Sequence, residues 1–209
     1  MRINKIVTKP DGVGRYRVEF EDGSVMRLYR QTIEDLGLYV GQELSEQEMD
    51  DLYCHAGQTS AKMRAVWILT ASDVSRDDLR QRLIQKGESK EDATAAVEWM
   101  EDLQLLDDGR TAAIIVSRCA AKGYGLARAK QALYEKRIPK EYWEEALADY
   151  PDQTEAIVAF LRGRINDNAD EREKKRAVDA LLRRGHSYGQ IRNAMRQLDF
   201  DEFQEDWNG

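Results

Sequence analysis

The chain is poor in the residues that usually announce chemistry. Among 209 residues there are two cysteines, two histidines and three prolines. Cys54 and Cys119 stand alone, without a CxxC, and with only His55 and His186 beside them no zinc pattern can be written. The longest uninterrupted apolar runs are five residues, 65–69 and 112–116, against the roughly eighteen that a membrane helix requires. The first twelve residues, MRINKIVTKPDG, lack the apolar stretch of a secretory signal, so a cytosolic chain with reduced thiols is expected. A core of ordinary size without disulfides is therefore expected, in one large domain or two small ones.

What is present is charge and helical periodicity. Charged residues make up 34% and hydrophobic residues 42%, a globular composition that leans helical. The net charge of −7 is unevenly distributed. Residues 1–59 and 60–109 each carry 7 basic and 11 acidic residues, 110–150 carry 8 and 5, 151–198 carry 10 and 7, and 199–209 carry 0 and 5. An acidic protein can thus hold a cationic face in its middle, because surface potential follows local charge within about 8–10 Å.

Residues 1–57 read as a small α+β cap. Apolar alternation in Tyr16–Phe20 and Met26–Leu28 brackets Glu21-Asp22-Gly23-Ser24, and Asp-Gly is a favoured two-residue hairpin turn. A third strand is expected in 2–8 and a short helix over 31–36. Ser45 with Glu48 forms a capping box that opens a helix to about His55. The boundary is placed at Gly57-Gln58-Thr59-Ser60.

From residue 60 onward the segment repeats itself. Ser75-Arg76-Asp77-Asp78-Leu79 aligns with Gly125-Leu126-Ala127-Arg128-Ala129 and with Ser187-Tyr188-Gly189-Gln190-Ile191, at offsets of 50 and 62 residues. Upstream, the same offsets pair Ala65 with Ile115 and Ala177, and Leu69 with Cys119 and Leu181. Three helical repeats are expected, over 60–109, 110–150 and 151–209. The last includes an inserted helix near 152–164, a polar loop through Asn166-Asp167-Asn168, a reduced final helix over 201–207 and an acidic tail. The fold class is mainly α, an elongated tandem array of three-helix repeats behind the cap, because units this small stack to bury their cores.

Most candidate reactive residues have plain structural readings. Cys119 sits where its repeat equivalents are leucines, His186 where they are Val74 and Tyr124, so both are packing positions. His55 ends the cap's last helix. Asp107-Asp108 starts a helix, Lys122-Gly123-Tyr124-Gly125 is an inter-helix bend rather than a phosphate loop, and Trp67, Trp99 and Trp143 are core residues. The basic residues carry more information. Arg80, Lys130 and Arg192 share one repeat position, Lys122 and Arg184 another, Lys86 and Lys136 a third, so sign is kept while identity changes.

Four motifs, Ser75-Arg76-Asp77-Asp78-Leu79 with Lys86-Gly87, Leu105-Leu106-Asp107-Asp108 with Arg110, Lys122-Gly123-Tyr124-Gly125, and Arg183-Arg184-Gly185-His186-Ser187-Tyr188, together resemble RecX, the bacterial regulator of the RecA recombinase. The likeness covers about 60–200, and the cap with Gly41-Gln42-Glu43-Leu44-Ser45 is similar to the family's N-terminal region. The chain departs from the family at Thr111 and His186, where an aromatic is common, and at Leu126, where a proline is common. The resemblance implies a protein of three-helix repeats without catalytic activity; a cytoplasmic monomer without cofactor or metal is expected. Its partner would be the RecA nucleoprotein filament, bound along the groove, with inhibition of strand exchange, ATP hydrolysis and SOS coprotease activity. Arg80, Lys122, Arg128, Lys130, Lys136, Arg183, Arg184, Arg192 and Arg196 would make the contact, with single- or double-stranded DNA as a further ligand and no membrane. The alternative is a helical DNA-binding module acting without RecA. An enzyme, for instance a helical DNA glycosylase, would need an acid/base group beside the basic face, and the sequence shows no such constellation.

Overall fold

The computed structural model describes residues 1–165 and 169–198. The chain divides into two compact units, the first spanning Met1–Asp107 and the second beginning at Asp108.

The first unit opens with an antiparallel sheet in the order β1 (Ile3–Ile6), β2 (Arg15–Phe20), β3 (Val25–Tyr29). The Asp-Gly turn forms, but only Gly23 takes positive φ, at 84°. The Gly23 N–H donates to the Phe20 carbonyl and the Phe20 N–H to the Ser24 carbonyl, both at 3.0 Å. This is the three-residue loop with a bulge at glycine, not the two-residue turn. Asp22 Oδ1 fixes it by accepting from the Ser24 N–H at 2.9 Å. Helix α1 (Arg30–Asp35) follows the sheet.

Helix α2 (Glu46–Ala71) begins at the expected capping box. Ser45 Oγ accepts from the Glu48 N–H at 3.2 Å, and Glu48 Oε2 accepts from the Ser45 N–H at 2.8 Å. It does not end near His55. It runs through 57–60, which is therefore no linker, and α2 belongs to two cores at once. Its Met49 and Leu52 pack with Ile3, Val18, Phe20 and Leu28 of the sheet. Its Ala61, Ala65 and Ile68 pack with α3 (Arg76–Gln85) and α4 (Lys90–Asp102) around Leu79, Leu83 and Met100. A single helical glycine costs only about 1 kcal/mol against alanine, and at Gly57 the gap is filled from α4: a Cβ there would lie 2.6 Å from Asp92 Oδ2.

The second unit holds α5 (Asp108–Ala121), α6 (Leu126–Glu135), a 3₁₀ turn at Lys140–Tyr142 leading into α7 (Trp143–Leu147), then α8 (Thr154–Arg162), α9 (Glu171–Arg183) and α10 (Tyr188–Arg196). Helices α5, α6 and α7 share a core of Ala112, Ile115, Val116, Leu133 and Ile138. The final bundle is assembled differently from the others. Ile157 and Leu161 of the inserted helix α8 complete a core with Val178, Leu181, Ile191 and Met195 of α9 and α10. The third helix of this bundle thus precedes the pair. The helix expected over 201–207, Trp207 and the Asn166-Asp167-Asn168 loop fall outside the described residues.

The repeat alignment places equivalent residues at equivalent helix positions. Ser75, Gly125 and Ser187 are the N-caps of α3, α6 and α10. Their carbonyls accept from the N–H of Leu79, Ala129 and Ile191 at 2.8, 3.2 and 3.1 Å. Those three side chains are all buried. No strand falls between 60 and 198 among the described residues.

Candidate anion-binding cleft

In the second unit the two repeat-equivalent turns, Lys122-Gly123-Tyr124-Gly125 after α5 and Arg184-Gly185-His186-Ser187 after α9, are pressed together. The Gly125 N–H donates to the Arg184 carbonyl at 2.9 Å, and the Ala127 N–H to the Gly185 carbonyl at 3.3 Å. Both glycines are obligatory here. A Cβ on Gly125 would stand 2.0 Å from the Gly185 carbonyl oxygen, and one on Gly185, where φ is +87°, would stand 2.3 Å from the Arg128 nitrogen.

His186 locks the same junction. It is 3% exposed, and its Nε2 lies 3.0 Å from the Gly123 carbonyl oxygen. A carbonyl only accepts, so Nε2 carries the hydrogen; Nδ1 is buried without a hydrogen-bond partner. Burial, with the Arg184 charge adding to it, holds the imidazole below its ordinary 6.5, although the Gly123 bond opposes this. His186 is thus a neutral packing residue. From the other side the Tyr150 hydroxyl donates to the Tyr124 carbonyl at 2.7 Å, and burial pushes its phenol up to about 12.

This rigid junction presents a cleft of about 280 Å³ lined by Tyr124, Arg128, Phe160, Arg164, Ala180, Arg183 and Arg184. The Arg184 guanidinium lies 5.4 Å from the Tyr124 ring centre and 5.1 Å from that of Phe160, and Arg164 lies 4.9 Å from Phe160. Stacking of this kind fixes a guanidinium while leaving its in-plane N–H donors outward. Arg184 spends one of them on the Lys122 carbonyl at 3.4 Å. Arg128 is partly neutralised by Glu135 at 2.9 Å, and in return holds that carboxyl below the usual carboxylate range. A site with four guanidiniums and two rings can take phosphate or carboxylate oxygens by charge-assisted hydrogen bonds.

Of the residues singled out from sequence, Arg128, Arg183 and Arg184 meet here, and Lys122 contributes its carbonyl. Arg80 lies in the first unit, paired with Asp77. Lys130, Arg192 and Arg196 are exposed on α6 and α10, and Lys136 caps the C-terminus of α6. Arg164, in the turn that follows the inserted helix, has no repeat counterpart to point to it, although its i, i+4 spacing from Phe160 is visible in the sequence.

Other candidates resolve plainly. Cys119 is buried and desolvation raises its thiol, so it is a core filler. Asp108 begins α5 as expected. His55 lies in the middle of α2, with Nε2 3.4 Å from Asp35, because that helix does not end there. Trp143 is half-buried and its indole N–H donates to the Ile138 carbonyl at 3.0 Å. Trp99 packs against the first helical core. Trp67 is not a core residue: it is 57% exposed. Among the described residues no group of three or more His, Cys, Asp or Glu could hold a metal, and no helix is long and apolar enough to cross a membrane.

Comparison with known proteins gives a consistent result. Residues 107–147 match the family model of the RecX second three-helix domain. The Regulatory protein RecX of Vibrio parahaemolyticus serotype O3:K6 is 30% identical over 145 residues, covering 68% of this chain and 94% of the relative. That of Xanthomonas axonopodis pv. citri is 32% identical over 136 residues, covering 64% and 84%. In fold, the chain is similar to a crystal structure of regulatory protein RecX, with a TM-score of 0.62 at 19% identity over 92% of this chain and 98% of that one. The RecX structure from Lactobacillus salivarius gives 0.60 at 22% identity, over 68% and 97%.

Proposed function

Since the chain belongs to the RecX family of regulatory proteins, we propose that it is a cytoplasmic, monomeric, non-enzymatic regulator of the RecA recombinase. It binds along the groove of the RecA–DNA filament and slows strand exchange, ATP hydrolysis and SOS coprotease activity. The observation that supports this reading is the cleft of Arg128, Arg164, Arg183 and Arg184 at a junction held rigid by paired turns. A filament offers acidic side chains and DNA phosphates, and a preorganised guanidinium cluster loses little entropy in meeting either. Lys122, Lys130, Lys136, Arg192 and Arg196 extend the contact in the second unit and Arg80 supplies it in the first.

The test is co-sedimentation with RecA filaments on single-stranded DNA, together with the RecA ATPase rate. Binding with a lowered rate is expected. An unchanged rate at a stoichiometric excess would overturn the inhibitory reading. The arginine and ring composition of the cleft also suits direct binding to DNA without RecA. In that case affinity for naked DNA would be tight and would fall steeply with salt.

A further inference from the structure

The exposed Trp67 lies in a second cleft, wholly within the first unit and outside the contacts assigned to RecA. It measures about 480 Å³ and lies where β2 and β3 face α2 and α3. Trp67 and Tyr29 supply rings, Ile68 an apolar floor, and Arg15, Arg64, Arg82 and Lys86 the cations; no acidic side chain lines it. The difference from Trp99 is instructive. Lys62 covers the Trp99 ring at 5.2 Å and the residue packs into a core, whereas most of the Trp67 surface is open to solvent.

The three arginines are each fixed by a carboxylate. Arg15 is held by Asp11 at 2.9 Å, Arg64 by Glu88 at 2.8 Å and Arg82 by Asp78 at 2.9 Å. Arg64 also donates to the Lys86 carbonyl at 3.0 Å and Arg82 to Ser72 Oγ at 3.2 Å. A guanidinium has five N–H donors, so these bonds set its position and leave donors for a ligand. The arrangement asks for a flat aromatic group joined to an anion. A single-strand channel would present successive rings along a track; here one open ring is surrounded by cations in a volume that holds one such ligand.

We propose that this cleft binds a free nucleoside phosphate, its base stacked on Trp67 and its phosphates held by Arg64, Arg82 and Lys86. The full chain, without RecA, is titrated calorimetrically with AMP, ATP, ribose 5-phosphate and a twelve-residue oligothymidylate. AMP and ATP bind saturably, and ribose 5-phosphate binds at least about tenfold more weakly, within the range a stacked base contributes. Trp67→Ala lowers the affinity for AMP by about tenfold or more, while Trp67→Phe, which keeps a ring, restores most of it. Lys86→Ala weakens ATP more than AMP. Trp67 is exposed, so neither of its variants threatens the fold. Absence of saturable AMP and ATP binding at millimolar concentration would overturn the proposal, as would equal binding of ribose 5-phosphate or indifference to Trp67→Ala. Tighter, Trp67-dependent binding of the oligothymidylate than of either mononucleotide would overturn it in favour of a strand site. No outcome depends on RecA, so the result is independent of the filament reading.

Discussion

The two units hold their arginines in different ways. In the first, Arg15, Arg64, Arg76, Arg80 and Arg82 each meet a carboxylate. In the second, Arg184 and Arg164 lie against rings, and of the cleft arginines Arg128 has an ion pair, to Glu135. The acidic surplus of 1–109 places a carboxylate beside each of those five arginines. Arg80 and Arg192 share a repeat position and a sign, yet Arg80 meets Asp77 within its own helix, so position in the repeat does not by itself set the charge offered to a partner.

The largest expected effect is on the paired turns that support the second unit's cleft. Gly185→Ala places a Cβ against backbone at positive φ and should cost about 3 kcal/mol or more in chemical denaturation. Gly189→Ala, in an open helical position, should be neutral or slightly stabilising. Equal stabilities of the two variants would remove the rigid junction from the comparison. Next comes charge. Reversing Arg164 and Arg183 together, or Lys130 and Arg192 together, should weaken filament binding by more than tenfold, about 1.4 kcal/mol, with unchanged helicity and melting. Arg76→Gln, against Glu101 in the first unit, should change binding less than about threefold. If all three variants bind as the parent does, the stacked arginines are a solvated face.

Smaller effects test the repeat itself. Ser75→Ala and Ser187→Ala each remove a side-chain acceptor from the N-terminus of a helix and should each cost about 1 kcal/mol in thermal or denaturant melts. The equivalent Gly125 has no cap to lose, since the crossing turn leaves no room for one. The smallest effect concerns pH. His186 is held below its unfolded value, so the unfolded chain takes up its proton first as pH falls below about 6.5, and folding loses stability in that range. His186→Gln keeps a donor toward Gly123 without titrating. Its melting temperature should fall less between pH 7 and 5.5 than the parent's, and parallel curves would dismiss the effect.

What the sequence disclosed was local or periodic. The capping box at Ser45, the bend at Gly123 and the buried row Leu79, Ala129 and Ile191 depend on residues a few positions apart, and the structure places them as read. The end of α2 was misread because Gly57 looks like a break in isolation, while Ala61 and Ala65, packed in a core with residues of α4, decide otherwise. Trp67 was grouped with an apolar stripe, although it lies two residues, about 200°, from the buried Ala65. The arginine cleft joins the α5–α6 turn, α6, α8 with the turn after it, and α9 across long sequence separations, and no local spacing announces such a meeting. Its repeated part was legible; Arg164, in the turn after a helix without a counterpart, was not.

Helix α2 is about 39 Å long, and its two halves are clamped in different hydrophobic interiors. Such a beam makes the sheet and the first bundle a single cooperative foldon. Heat or denaturant should release their amide protons together, and no deletion ending near residue 57 can excise the N-terminal sheet cleanly. A shortened relative that dispensed with the sheet would have to repaint Met49 and Leu52 with polar side chains before its first bundle could stand in water.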